Sequence, residues 1–213
     1  KKVEQHNYSI RKRLLQYDDV LNRQREIAYG LRNEALKSEN VYSFLFEFIE
    51  DEINGRIELL ETTTKGMLKE KDLNAFLSWA NLHFPVFLKK EDCLGKPKDA
   101  LAKLLLEKIQ TAYKEKLSVE GDEALKQLEQ YLIVSSIDKN WQDHLTEMED
   151  LRQSVNLRGY GQKDPLNEYK TEAYGFFEEM MGRVRQDICY NLFRSATSLN
   201  NLKQTFSNIA QKV

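Results

Sequence analysis

The sequence predicts an all-α fold built from a long first helix, a small helical subdomain and a long antiparallel two-helix hairpin. Three observations predict it. Apolar residues recur at spacings of three, four and seven over long stretches, the signature of helices packed along one face. Only 3 prolines and 9 glycines interrupt 213 residues. Charged residues make up 31% of the chain, with both signs interspersed as on solvated helices, and no alternation of period two persists.

The first segment, 1–60, opens with a seam of Val3, Ile10, Leu14, Tyr17, Leu21, Ala28, Leu31 and Ala35. This heptad-like stripe predicts a helix packed along another over most of its length. Gln24 is the one polar residue at an expected apolar position. After about Ser38 the pattern blurs, and SFLFEFIEDEI carries apolar residues on several faces, which predicts a helix buried on more than one side or a junction.

Shorter segments fill 61–118. Pro85 should end the helix that holds Phe76 and Trp79, and Pro97 suits a first helical turn. Leu101, Leu104, Leu105, Ile109, Ala112 and Tyr113 then repeat at helical spacing.

The hairpin is read over 119–198. A helix from about Asp122 carries Leu125, Leu128, Leu132, Ile137, Trp141, Leu145, Met148, Leu151 and Val155. Its partner, with Asp164 as N-cap and Pro165 at the first position, carries Tyr169, Ala173, Phe176, Phe177, Met180, Val184, Ile188 and Leu192. Such a pair joined by a short turn makes an antiparallel αα-hairpin. A 30-residue helix is about 45 Å long at 1.5 Å per residue, so the turn at 157–165 should stand at the end of a stiff double rod. Residues 199–213 read as a flexible polar tail.

Composition narrows the function classes. There are 32 basic and 34 acidic residues, for a formal charge of −2, which argues against a nucleic-acid partner. Cys93 and Cys189 form no CxxC or metal spacing and are expected to be idle thiols of a reducing compartment. No apolar run approaches the roughly 20 residues that span a bilayer. The expectation is a cytoplasmic fragment of a larger protein, since the chain starts inside a helical pattern without an initiator methionine. Gly95-Lys96 lacks the rest of a phosphate-binding loop, so no cofactor is expected in this fragment. His6, His83 and His144 are scattered, and Asp143, His144 and Glu147 are expected on a solvated charged face rather than at a metal or acid/base site.

The strongest local feature is NLRGYGQKDP at 156–165. Glycines on either side of Tyr160 supply the φ > 0 a turn needs. Tyr160 either packs back on the hairpin or faces outward, where its ring and hydroxyl could grip unrelated chains.

The stretches VEQHNYSIRKRLLQYDDVLNRQREIAYGLRNEAL and IDKNWQDHLTEMEDLRQSVNLRGYGQKDPLNEYKTEAY resemble the C-terminal helical portion of the SecA family, the ATP-driven motor of bacterial preprotein translocation. LLQYDDV, the WxxHL spacing and LRGYxQKDP carry the resemblance, which covers about a third of the chain. It implies a long scaffold helix, a helical wing at 61–118 and a two-helix finger. It further implies that the finger tip (Leu157, Arg158, Gly159, Tyr160, Gly161, Gln162 and Lys163) contacts unfolded preproteins at the mouth of the SecYEG channel. Arg11, Arg13, Tyr17, Asp18 and Asp19 would form the scaffold face toward the motor domains of the full-length chain, which bind ATP and Mg. The whole protein would lie in the cytoplasm, peripheral to the inner membrane. The motor domains and the cysteine-rich zinc tail of the family are absent here, so this fragment is expected neither to hydrolyse ATP nor to bind zinc. Self-association through the exposed seam is expected. The alternative reading is a stand-alone helical adaptor that binds partner helices through that seam.

Overall fold

A computed structural model describes residues 2–62, 68–158 and 164–195, without the side chains of 2, 9 and 156–158. It contains α1 (Lys2–Lys37), α2 (Val41–Glu58), α3 (Glu70–His83), α4 (Lys90–Cys93), α5 (Lys98–Glu120), α6 (Asp122–Arg158) and α7 (Pro165–Leu192). An isolated bridge joins Thr62 and Leu68, and no β-strand occurs among the described residues. The fold is all-α, as the spacing of apolar residues predicts.

Helix ends fall where the local chemistry puts them. The Asn40 side chain accepts from Ser43 N at 3.2 Å and caps α2. The seam therefore stops at Ser38 and a new helix begins three residues later. α3 ends at His83, two residues before Pro85, and α5 begins immediately after Pro97. Gly121 sits at φ 80 and passes the chain directly from α5 into α6, a conformation that favours glycine. At α7 the Asp164 carboxylate accepts from Leu166 N at 3.2 Å, with Pro165 as the first helical residue.

The chain divides into two compact units, Lys1–Ser38 with Ile133–Val184, and Glu39–Leu132 with Arg185–Val213. The first is a three-helix bundle. Side-chain contacts pair Asp18 with Arg152, Gln24 with His144 and Arg32 with Asp138, so α1 runs antiparallel to α6. Tyr17 meets Tyr169 and Gln24 meets Ala173, so α1 runs parallel to α7. Tyr17, Met148, Leu151, Val155, Leu166, Tyr169 and Ala173 form one buried cluster.

In the second unit α2 buries Val41, Leu45, Phe48 and Glu52 along one stripe and Phe46, Ile49, Ile53 and Ile57 along the next. Together the stripes cover half the helix circumference, which is why no single face was apparent in the sequence. α5 turns Leu101, Leu105, Ile109 and Tyr113 inward. One buried polar contact lies in this core: Tyr113 Oη donates to Glu129 Oε1 at 2.6 Å. Burial pushes both groups toward their neutral forms. Cys93 and Cys189 are both buried.

Ile49 and Leu105 are fully buried. Ile49→Ala or Leu105→Ala should each lower unfolding stability by about 2–5 kcal/mol. Exposed Tyr131→Ala should stay within about 0.5 kcal/mol. Urea unfolding followed by circular dichroism measures both, and equal effects would mean that these cores are loosely packed.

Candidate functional site

The layer where α1 locks onto the α6–α7 hairpin is the most organised polar feature of the first unit. Gln24 stands in the apolar seam of α1, and its side chain is buried. Its Nε2 donates to the Ala173 carbonyl of α7 at 2.9 Å. Its Oε1 lies 2.9 Å from His144 Nε2 of α6. Since Gln24 Oε1 can only accept, the proton of the neutral imidazole sits on Nε2. His144 Nδ1 is then an acceptor, buried and without a partner, 3.9 Å from Glu147 Oε2. Arg183 of α7 donates to that same carboxylate oxygen at 3.0 Å. Gln24 therefore joins all three helices through its two polar contacts.

His144 corrects the expectation of a solvated charged face. It is 0% exposed, with its ring 5.5 Å from Trp141 and 5.8 Å from Phe177. It occupies the inward position between Trp141 and Met148, whereas Leu145, expected in the stripe, is only half-buried. Burial holds the imidazole below its ordinary value of 6.5; the Glu147 carboxylate opposes this and Arg183 adds to it. Among the described residues no group of three His, Cys, Asp or Glu side chains is placed to hold a metal ion.

A second layer lies toward the hairpin's connecting segment. Tyr17 packs edge-on against Tyr169 with ring centroids 4.8 Å apart. The Arg152 guanidinium lies 6.0 Å over the Tyr17 ring and donates to Asp18 Oδ1 at 3.4 Å. Tyr169 is pushed up to about 12, chiefly by burial. On the other side of the junction, Arg32 makes a two-pronged contact with Asp138 at 2.8 and 3.2 Å.

Of the sequence-predicted scaffold residues, the structure engages Tyr17 and Asp18 with the hairpin itself. Asp19 lines a cleft of about 520 Å³ between α1 and α7, together with Arg23, Ile27 and Tyr174. Arg11 and Arg13 are exposed on α1. The seam is buried only from Tyr17 onward, and Val3 is 72% exposed. The α1–α6 register explains this: it carries Arg158, the last residue of α6, to the level of Lys12, and earlier turns of α1 have no described helix alongside. Leu157 and Arg158 end α6, but their side chains, like all of Gly159, Tyr160, Gly161, Gln162 and Lys163, lie outside the described residues.

The Gln24–His144 junction was missed in the sequence, although a signal was present. Gln24 is the lone polar residue in the apolar seam of α1, and His144 is one of several polar residues, with Ser136 and Asn140, buried on the inward side of α6; buried polar residues on different helices can satisfy one another.

A long helix locked to an antiparallel hairpin, with a separate helical unit inserted between them in the chain, defines a helical scaffold architecture. A family model described as the SecA wing and scaffold domain matches residues 1–196, and the chain belongs to that family. It is similar to the "Protein translocase subunit SecA" of Heliobacterium modesticaldum, 37% identical over 194 residues covering 91% of this chain and 23% of the relative. The subunit of the same name from Syntrophomonas wolfei is 37% identical over 212 residues, covering 98% of this chain and 25% of the relative. That of Carboxydothermus hydrogenoformans is 38% identical over 197 residues, 91% and 22%. The chain thus spans about a quarter of the length of these relatives. No described helix is long and apolar enough to cross a membrane.

Two measurements test the junction. Gln24→Leu strands the buried His144 Nε2–H and should cost about 1–3 kcal/mol, and adding His144→Leu should recover most of the loss. Additive losses in a double-mutant cycle would show that the two residues do not act as a pair. The second measurement is pH dependence. Because the folded imidazole holds its proton less well than the unfolded one, the unfolded state binds more protons just below pH 6.5. The contribution of His144 is therefore complete above about pH 6.5 and lost as pH falls below it. Glu52 and Glu129, whose carboxyls burial pushes up, act with the opposite sign. The readout is therefore the stability of the parent chain relative to the double Leu variant, which should fall between pH 7 and 5.

Proposed function

We propose that this chain is the scaffold, wing and finger portion of an ATP-driven preprotein translocase, and that its first unit is the lever through which ATP turnover moves a polypeptide. The observation that carries this reading is the locked register of α1 against the hairpin. Polar contacts join α1 to α6 at three levels, Asp18–Arg152, Gln24–His144 and Arg32–Asp138, and the middle one is buried. Sliding α1 along the hairpin would strand buried polar groups at about 1–3 kcal/mol each. A displacement of α1 is therefore passed to α6 and α7 rather than absorbed between them.

In this reading the ATP and Mg sites belong to motor domains elsewhere in the longer chain. Arg11, Arg13 and Asp19 present the outer face of α1 to those domains, while Tyr17 and Asp18 hold the hairpin. Leu157 to Lys163 form the tip at the end of the hairpin, and Tyr160 meets the unfolded preprotein at the SecYEG channel, peripheral to the inner membrane on its cytoplasmic side. A tyrosine suits this task because its ring and hydroxyl bind many side chains without reading a sequence.

The test is site-specific photocross-linking from position 160 in the complete motor, with a precursor stalled in the channel. Cross-links at 160 that are absent from Lys170 support the reading, as does Tyr160→Ala that abolishes transport with an unchanged melting curve. Transport that survives Tyr160→Ala with no cross-link would remove the tip from the mechanism. It would favour a helical adaptor working through the exposed turns of α1, where Val3, Ile10 and Leu14 face solvent.

A further inference from the structure

The tail read at 199–213 lies outside the described residues, and the most informative open surface of the chain lies on its first unit. The cleft between α1 and α7 is lined by four charges, Asp19 and Arg23 of α1 and Lys170 and Glu178 of α7, and by no residue of α6. All four charges are exposed. Among the described residues none of them is joined to an opposite charge. Apolar side chains stand in water beside them. Ile27 is 52% and Tyr174 67% exposed, and Leu15, one turn before Asp19, is 61% exposed.

The order of these residues says what can cover them. Leu15, Asp19, Arg23 and Ile27 follow at intervals of four and form one ridge of α1. In chain order the ridge reads apolar, acidic, basic, apolar. Run in the opposite direction it reads apolar, basic, acidic, apolar, which is its own complement. Lys170, Tyr174 and Glu178 form a ridge of α7 with the same property. The first ridge reverses about residue 21 and the second about residue 174. The two centres lie at nearly one height. α1 and α7 are parallel with Tyr17 against Tyr169, which carries residue 21 to the level of residue 173, about 1.5 Å from 174. An unrelated partner gives no reason for two self-complementary ridges with one common centre. A second copy does, because a two-fold interface sets each surface against its own reverse.

We propose that this face is a two-fold interface between copies of the chain, with the axis crossing α1 beside Leu21 and α7 at Tyr174. α1 then runs antiparallel to α1 of the second copy. Asp19 meets Arg23 of the second copy, Lys170 meets its Glu178, Leu15 meets its Ile27, and the two Tyr174 rings meet on the axis. Each end of the face holds four charges that alternate in sign around a square: Asp19 and Lys170 of one copy, Glu178 and Arg23 of the other. Like charges stand only on the longer diagonals, where repulsion is weaker. Of the neighbouring charges, Glu26 falls opposite Gln16 and Glu172 opposite Phe176. From Leu15 to Ile27 the face is two helices wide and about 18 Å long, so the pair belongs with small, reversible interfaces. This inference is independent of the translocation reading; in a longer chain a second copy and the motor domains would exclude one another at Asp19.

The test is sedimentation of the 213-residue chain over a series from micromolar to millimolar, with circular dichroism of each variant to check the fold. The parent chain should pass from monomer to dimer. Asp19→Arg and Arg23→Asp, each at an exposed position, should weaken the pair by more than about tenfold, because each sets like charges together across the axis. Exchanging all four charges (Asp19→Arg, Arg23→Asp, Lys170→Glu and Glu178→Lys) reverses every sign, keeps every pair and should return the dimer. A short bifunctional maleimide should join Tyr174→Cys to its copy and leave Tyr131→Cys, exposed in the second unit, unjoined; Cys93 and Cys189 are buried. A chain that stays monomeric throughout would overturn the proposal. So would a dimer untouched by the single reversals, which would place the contact elsewhere, and so would a folded fourfold variant that stays monomeric.

Discussion

One hydrogen bond sets the geometry on which the rest of the first unit depends, that between Gln24 of α1 and His144 of α6. Apolar heptads alone specify that helices pack, but they specify register weakly, because a shift of seven residues presents another apolar face of similar shape. A shift of one heptad here would set Gln24 against Ile137 or Leu151 and His144 against Tyr17 or Leu31. Both polar side chains would then be buried without partners, at about 1–3 kcal/mol each. The Ala173 carbonyl, which accepts from the same Gln24, extends the constraint to α7.

The flanking ion pairs add direction more than energy. Asp18–Arg152 and Arg32–Asp138 are partly exposed, and such pairs are worth about 0–1 kcal/mol. They lie on either side of the buried junction and agree with its register. Tyr17 reinforces one end, where the guanidinium of Arg152 lies over its ring and Tyr169 meets it edge-on. A tilt of α1 about the junction must therefore also break packing at its end.

Much of the fold was legible because it rests on periodicity. The stripe of α7 from Tyr169 to Leu192 is buried as read, apart from half-buried Phe176, and in α5 Leu101, Leu105, Ile109 and Tyr113 are buried. Pro85, Pro97, Asp164 and Pro165 marked helix ends, whereas the Asn40 cap of α2 emerged only in the structure. Two things were hidden. In α6 the eye follows Leu145, the more apolar of two neighbours, while the inward phase belongs to His144; a histidine reads as core only when its partner on another helix is seen. In α1, Val3, Ile10 and Leu14 continue the seam, but nothing local to α1 states where the hairpin stops. That limit follows from pairing 18 with 152 and 24 with 144, a long-range fact. The tip residues, read from the glycines around Tyr160 and from family resemblance, lie outside the described residues.

The contrast between the two parts of α1 bears on how such a helix can serve both as a support and as a contact. From Tyr17 to Ala35 the inward positions are buried, or half-buried at Leu21 and Leu31, and one polar layer forbids sliding. From Val3 to Leu14 the same heptad continues with Val3, Ile10 and Leu14 in water and Asn7, also exposed, at the inward position between the first two. No described helix pins these turns in one register, and burial of their apolar side chains is non-directional. A single uninterrupted helix thus combines a segment whose position is fixed to the hairpin with a segment whose partner can shift. Because α1 is continuous from Lys2 to Lys37, a force applied to the open turns is carried along the helix axis to the Gln24–His144 layer, where it cannot dissipate by slippage.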